Sequence, residues 1–504
     1  MPGSGSGDGL VLAIDVGLTN AKAVLFDVDG RVVRRRGVEY ETRRPVPGEA
    51  EQDPEAWWRA VVSAVRGLAE PSERLPGRVV AIGVTAHMHA LASVDANLAP
   101  VGPALILGDR RAAREAEAIT AEVGADVVYQ TTGTTMDASM PAAKIRWLRT
   151  HEPERFASTR WFLGCKDLIR ARLTGEIATE PVDACATSLY DIRSRSWSRE
   201  IADAAGAPMR SLPPICAPES IAGELLPGAA SELGLDPGIP VIVGAGDDVE
   251  VLGNGLLDAG RSLEHLGTTG SILAVSAVPI WDPAQALELY PHTVDGLWVL
   301  GGSMTSAGAA LSWAARALGY SSVRSAEACL EGWPCAADAP VFVPHLEGSR
   351  SPDRDPLARG AWVGMHSGTE RQDLMLSAFE GVAMGLQAIL SRAETLVGAT
   401  GPITVSAGDS ADQSWLQVRA DIYGRSLAVL ETTEPTALGL FTLAASAIGL
   451  DQSAAAATRR VVRVRRSVEP QASGSRASRL ASFASADAAL HEAWPVITGV
   501  TGLV

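Results

Sequence analysis

Apolar and polar positions set the first boundaries. Leu10 to Ile14 is an apolar run that stops at Asp15, and Val16-Gly17-Leu18-Thr19-Asn20-Ala21-Lys22 follows. A second apolar run covers Ala23 to Phe26, then Asp29-Gly30 leads into Arg31-Val32-Val33. Short apolar runs broken by Gly, Thr and Asp predict strands, and Asp-Gly between two of them predicts a hairpin. The chain therefore opens as a β-meander with a Gly/Thr turn after its first strand. From Glu51 to Leu68 the period changes: Trp57, Trp58, Val61, Val62, Val65 and Leu68 recur at helical spacing. Val79 to Val84 reads as a strand, followed by Thr85-Ala86-His87-Met88-His89, and Arg110 to Val123 reads as a helix. Alternating strands and helices predict an α/β architecture.

The middle of the chain repeats this pattern. Ile239 to Val243 predicts a buried strand, followed by Gly244-Ala245-Gly246-Asp247-Asp248 and a helix-like Val249 to Leu257. Ser262 to Leu266 then leads through Gly267-Thr268-Thr269-Gly270-Ser271 into Ile272 to Val275. This strand–turn–strand echoes Gly17-Leu18-Thr19 and suggests two related lobes, each offering a hairpin turn. Further on, Trp415 to Ile422 and Ala437 to Ile448 read as helices. Arg459 to Arg466 reads as an alternating edge strand, Ser467 to Ser478 as a loop and Ala481 to Trp494 as a final helix.

Composition narrows the classes. With 504 residues, 46% hydrophobic and 20% charged, the chain has material for packed cores and a length prior of about three domains. The net charge is -16 and the pI near 5.0, which disfavours nucleic acid and anionic membrane as partners. Any phosphate ligand must be held by local backbone N–H groups or a metal. Five scattered cysteines without CxxC predict free thiols rather than disulfides or structural zinc. The first residues carry neither a basic region nor an apolar core, and the charge-free stretch Pro435 to Leu450 is too short to span a bilayer. A cytoplasmic protein is expected.

Three groups of residues suggest chemistry. Gly17 and Thr19 in one turn, and Gly267, Thr268 and Thr269 in the other, combine close backbone approach with hydroxyl donors, as phosphate binding requires. Asp15 beside the first turn could hold Mg²⁺ through waters. Two ordinary β-turns are the plain alternative for each motif alone. Asp247 and Asp248 follow a Gly-rich turn at a strand end; one could take a proton from a substrate hydroxyl and the other hydrogen-bond a neighbour, or they could simply begin a helix. His87 and His89 would share one strand face, but no third ligand is spaced to make a metal site. One His hydrogen-bonding a polar substrate is the more natural reading, with a satisfied core histidine about as plausible. Walker A, GxSxG and G-x-G-x-x-G signatures are absent in the contexts they need.

Taken together the motifs resemble the FGGY carbohydrate kinases, the group that includes xylulokinase, ribulokinase and glycerol kinase. The resemblance runs from about Leu10 to about Leu450. The segment from Ser139 to His151, with Lys144 and Trp147, fits the family's first signature at every position that can be checked. Pro344 to Pro352, continued by Gly360-Ala361-Trp362-Val363-Gly364, resembles the core of its second signature.

The resemblance implies two actin-like ribonuclease-H-type lobes with ATP and a sugar in the cleft between them. It implies a sugar-binding lobe over residues 10–256, an ATP-binding lobe over 257–450 and a tail over 451–504. It assigns Asp15, Gly17, Thr19, Asn20, Lys22, Gly267, Thr268 and Thr269 to ATP, and Ala407-Gly408 to the adenosine motif, with Trp415, Gln417 and Asp421 following in family-like spacing. Asp247 becomes the general base, Asp15 and Asp247 the Mg²⁺ carboxylates, and Met88, His89, Asp247 and Asp248 the sugar contacts. A homodimer is possible on family grounds. The departures lie mostly on the sugar side: Leu107 where the family often has Trp, His87 for Gln, Ala90 for Gly and Asp248 for Asn or Gln, while Ala407 replaces a Gly of the adenosine motif. The expected substrate is a ketopentose such as xylulose, then a polyol or other ketose. An actin- or chaperone-like ATPase, or a non-catalytic relative, are the readings from other classes.

Overall fold

The computed structural model describes residues 9–69, 78–336, 338–398, 400–405, 413–471 and 474–501. By packing, the chain forms two compact units. The first comprises residues up to Leu257, Tyr290–Gly296 and Glu434–Val462; the second comprises Asp258–Leu289, Leu297–Thr433 and the residues from Arg463 onward. These cut points differ from a linear partition at residue 257 with a separate tail from 451.

The first unit is built on a six-stranded sheet. Its strands are β1 (Gly9–Val16), β2 (Asn20–Asp27), β3 (Val32–Glu39), β4 (Arg78–Ala86), β5 (Ile221–Glu224) and β6 (Pro240–Ile242), in the spatial order β5-β6-β4-β1-β2-β3. The meander β1–β2–β3 is antiparallel, with Val16 opposite Ala21 at the first turn. β4 runs parallel to β1, and β6 parallel to β4. Because side chains alternate across a strand, Leu10, Leu12, Ile14 and Val16 enter one core, and Val11 and Ala13 enter the other. The first core takes Trp57, Trp58, Val61 and Val65 from the helix Pro54–Arg66, which Asp53 caps at Glu55 N. The second takes Leu438, Leu440, Phe441 and Leu443 from the helix Pro435–Ala447. A strand buried on both faces reads as an unbroken apolar run, and its second cover comes from more than 400 residues away.

The second unit repeats the plan. Its sheet has the strands β7 (Ser262–Leu266), β8 (Gly270–Ser276), β9 (Glu288–Pro291, of which Glu288 and Leu289 belong to this unit), β10 (Trp298–Met304), β11 (Ile403–Val405), β12 (Leu427–Leu430) and β13 (Val464–Val468), in the order β9-β10-β8-β7-β11-β12-β13. β7, β8 and β10 are an antiparallel meander; β11 and β12 continue parallel to β7; β13 closes antiparallel to β12. Three antiparallel strands, two parallel strands and an antiparallel edge recur in both sheets. The two hairpin turns suggested related lobes, and the shared plan is the ribonuclease-H-type lobe that the family resemblance implies. The helix Arg371–Val397 packs on β8 and β10. It is long and apolar enough to cross a membrane, yet 83% of its most apolar window is buried within the protein.

Several local expectations change. The helix expected from Arg110 begins at Ala113. Val249 to Leu257 holds only a single turn of α-helix, Glu250–Gly253, after a 3₁₀ turn at Asp247–Val249. The expected edge strand Arg459–Arg466 divides: Ala454–Val461 is a helix capped by Ser453, with Arg459 and Arg460 in its last turn, and the strand starts at Val464. Basic residues near a helix C-terminus complement its dipole, so one run of arginines serves two elements. The final helix spans Arg476–Thr501.

Candidate active site

In the first unit the ends of β1, β4 and β6 bring the acidic residues together. Asp15 lies opposite Lys22 across the first hairpin. Burial pushes its carboxyl up to about 6 against the pull of Lys22, and Glu434 and Glu250 push the same way. Lys22 Nζ is 2.7 Å from Glu434, which also takes Arg35 at 2.6 Å. In the turn itself Gly17 N donates to Asn20 O at 2.9 Å. The three carbonyls at its tip are tied back: Tyr40 OH bonds Gly17 O, Gln52 Nε2 bonds Leu18 O at 2.8 Å and Tyr40 N bonds Thr19 O at 3.1 Å. A Cβ on Gly17 would meet nothing nearer than Asn20 O at 3.5 Å, so the turn leaves room beside it.

Asp247 and Asp248 open the 3₁₀ turn that follows β6. Burial, then the like charges of Asp248, Glu250, Asp183 and Asp15, hold the Asp247 carboxyl well above the ordinary carboxylate range. The structure adds residues that no motif marked. Glu180, fully buried, accepts from Val182 N at 2.7 Å, Asp183 N at 2.9 Å and Gly246 N at 3.0 Å. Lys166, also buried, places Nζ 2.7 Å from Asp167 and 3.2 Å from Asp183. Glu180-Pro181 carries a helix-start pattern, but nothing local in the sequence points to Gly246.

His87-Met88-His89 is not on a strand, because β4 ends at Ala86 and His89 takes a left-handed φ of 64°. The two histidines therefore do not share a strand face. His87 N bonds Val16 O at 2.9 Å, and its ring lies edge-on to Trp57. Burial pushes the His87 imidazole down to about 4, so it is neutral at physiological pH. The Lys144 ammonium, fully buried, donates to His89 O at 2.7 Å and to Ile106 O at 3.0 Å, which pins the turned segment. Burial lowers Lys144 to about 7, with Asp109 and Asp137 opposing. Met88, His89, His87, Asp167 and Asp183 line one cavity together with Thr187 and Trp197. Among the described residues no three His, Cys, Asp or Glu side chains are arranged as a direct metal cage.

The second unit holds the other turn. Gly267 N bonds Thr269 O at 2.9 Å, in place between β7 and β8 as Gly17 is between β1 and β2. The start of the helix Gly308–Ala317 closes on this turn: Gly308 N bonds Gly267 O at 3.0 Å, and Ala307 N and Ala309 N bond Thr268 O at 3.1 and 3.0 Å. A Cβ on Gly308 would fall 2.4 Å from Gly267 O, so only glycine permits this approach. Gly267, Thr268, Ser306, Trp313 and Leu346 line an open cleft with about 560 Å³ of free space. The buried Ser306 hydroxyl facing it has no hydrogen-bond partner among the described residues. Trp415 lies under Arg419, which pairs with Glu264 of β7 at 2.7 Å, while Gln417 and Asp421 bond each other at 2.7 Å. Ala407 and Gly408 lie outside the described residues.

Comparison with known proteins places this arrangement. Residues 10–252 match the N-terminal domain model, and residues 265–448 the C-terminal domain model, of the FGGY family of carbohydrate kinases. The chain is 31% identical to the xylulose kinase of Escherichia coli (strain K12) over 419 residues, 83% of this chain and 86% of that protein. It is 27% identical to the gluconokinase of Bacillus subtilis (strain 168) over 452 residues, 87% of this chain and 88% of that protein. A crystal structure of xylulose kinase from Rhodospirillum rubrum superposes with a TM-score of 0.89 at 27% identity, covering 96% of this chain and 99% of that one. With two sheets of one plan, two matching hairpin turns and both domain models in order, the chain belongs to the FGGY family of carbohydrate kinases.

Proposed function

We propose that this sugar kinase transfers the γ-phosphoryl group of ATP to a hydroxyl of an uncharged sugar, a ketopentose such as xylulose, and that Asp247 positions that hydroxyl and accepts its proton. The observation that carries the substrate class is the lining of the cavity around Met88 and His89. Among the described residues it presents two carboxylates and neutral or polar groups, and no lysine or arginine. The nearby Lys166 is already engaged by Asp167 and Asp183. A sugar bearing its own carboxylate would find no lysine or arginine on this lining to pair with, and burying an unpaired charge is costly. Polyhydroxyl faces suit it instead, with the neutral His87 ring able both to donate and to accept.

The nucleotide reading rests on the two turns. Neither Gly17 nor Gly267 is demanded by internal crowding, so both leave space for phosphate oxygens to approach, with Thr19, Thr268 and Thr269 beside them. The Ser306 hydroxyl, buried at the edge of the second-unit cleft, fits a nucleotide that would supply its missing partner. Asp15 is among the like charges that raise the proton affinity of Asp247, so a cation beside the two would relieve their repulsion. Mg²⁺, held there through waters, would supply charge neutralisation at the phosphates. In the reaction the sugar oxygen forms its bond to the γ-phosphorus, the bond from phosphorus to the β-bridging oxygen breaks, and the sugar proton passes to Asp247.

An ATP-consumption assay across D-xylulose, D-ribulose, glycerol and D-gluconate tests the substrate class. The expected kcat/KM for a ketopentose exceeds that for gluconate by at least about 100-fold. A preference for gluconate would overturn the argument from the cavity lining.

A further inference from the structure

We propose that Glu180 is a positioning residue for Asp247, acting through the backbone of the turn that carries it. The proposal rests on the reading of Asp247 as the base.

One carboxylate oxygen carries the link. Glu180 Oε1 accepts from Asp183 N at 2.9 Å and from Gly246 N at 3.0 Å, while Oε2 accepts from Val182 N at 2.7 Å. Two segments more than sixty residues apart, one carrying Asp183 and the other Asp247, thus meet at a single buried atom. Gly246 immediately precedes Asp247, so its N–H fixes the direction in which the chain leaves the turn. The same glycine is walled on its other side: a Cβ there would lie 2.9 Å from Met88 Sδ and 3.0 Å from Asp183 Oδ1. The turn that presents Asp247 is held from the sugar-cavity side and from the Glu180 side at once.

The ions around this link hold the same geometry. The Lys166 ammonium sits between Asp167 and Asp183 and stays protonated, because the surrounding carboxylates outweigh its burial. Its contact engages Asp183 Oδ2 and leaves Oδ1 turned to Gly246. Apolar side chains would fill this space at lower cost than buried ions. The buried ions are explained if the cluster sets the direction of Asp247.

The test uses the full-length protein with D-xylulose and ATP. Glu180→Gln keeps size but turns an amide N–H toward one of three N–H donors, so kcat should fall at least about tenfold with the KM for ATP unchanged. An unchanged kcat overturns the proposal, and so does a loss that appears only in the KM for ATP. If Glu180→Gln does not fold, Glu180→Asp, which keeps the charge and shortens the reach to Gly246 N, carries the test by the same split of kcat from KM. Asp247→Asn runs alongside: full activity there removes the base and the proposal with it, whereas an inactive Asp247→Asn with the Glu180 variant unmoved overturns the positioning alone.

Discussion

Asp247→Asn is expected to slow sugar phosphorylation by ~10²–10⁴-fold, the range found when a positioned general base is removed. Asn keeps the shape of Asp and can still accept a hydrogen bond from the substrate hydroxyl, but it cannot take the proton. A second readout separates this loss from a folding defect. Asp247 is raised above its ordinary value in the folded state, by burial first and then by Asp248, Glu250, Asp183 and Asp15. A carboxyl whose folded pKa is raised binds its proton more tightly folded than unfolded, so it lowers stability as pH rises from the ordinary carboxylate value through the folded one. The Asn variant escapes that penalty. It should melt at or above the parent temperature at pH 8, and the difference should vanish near pH 4. ADP release and thermal melts at the two pH values decide the matter. Activity within about threefold of the parent, or a variant that melts well below it at pH 8, would contradict the base assignment or its electrostatic setting.

The parts of this site that were legible in the sequence are those written into local pattern. The turn at Gly17–Asn20 and the turn at Gly267–Thr269 each sit between apolar runs, and both became hairpins at the same place in matching sheets. Asp247 was legible as an acid after a Gly-rich strand end. What the pattern could not carry is contact at long range. Glu180 meets Gly246 only because two loops are folded together, and no period relates them. The Lys144 signature stood out, but its partners, the carbonyls of His89 and Ile106, are backbone atoms without a sequence mark. His87-Met88-His89 looked like strand because Val79 to Val84 does; the left-handed His89, under the Lys144 ammonium, turns the chain away instead. The helix Pro435–Ala447 was visible as an apolar segment, but nothing local says that it covers β1 of the first unit. Ribonuclease-H-type topology makes such returns necessary, since a strand buried on both faces needs two covers.

The tail after residue 451 is where the linear reading carried least, and Arg479→Met tests what the last helix contributes. Arg479, 3% exposed, faces Glu380, 2% exposed, on the helix Arg371–Val397, with Nε 3.1 Å from Oε2. Its Nη atoms also donate to Ala339 O at 2.6 Å and to Pro340 O at 2.9 Å. One guanidinium thus satisfies a buried carboxylate, the buried carbonyl of Pro340 and the part-buried carbonyl of Ala339 inside the second unit. Removing it leaves all three without that donor, and an uncompensated buried charge costs about 3–5 kcal/mol. For a unit of this size that is a fall in melting temperature of roughly 6–20 °C. Arg479→Met with Glu380→Gln should recover part of the loss, because the double variant no longer buries an unpaired charge, although the carbonyls of Ala339 and Pro340 remain unmatched. Thermal melts of the two single variants and the double variant complete the cycle. A single-variant loss below about 1 kcal/mol would mean that water reaches Glu380, and that the last helix is held to the second unit by its apolar contacts, such as Phe483, rather than by this ion pair.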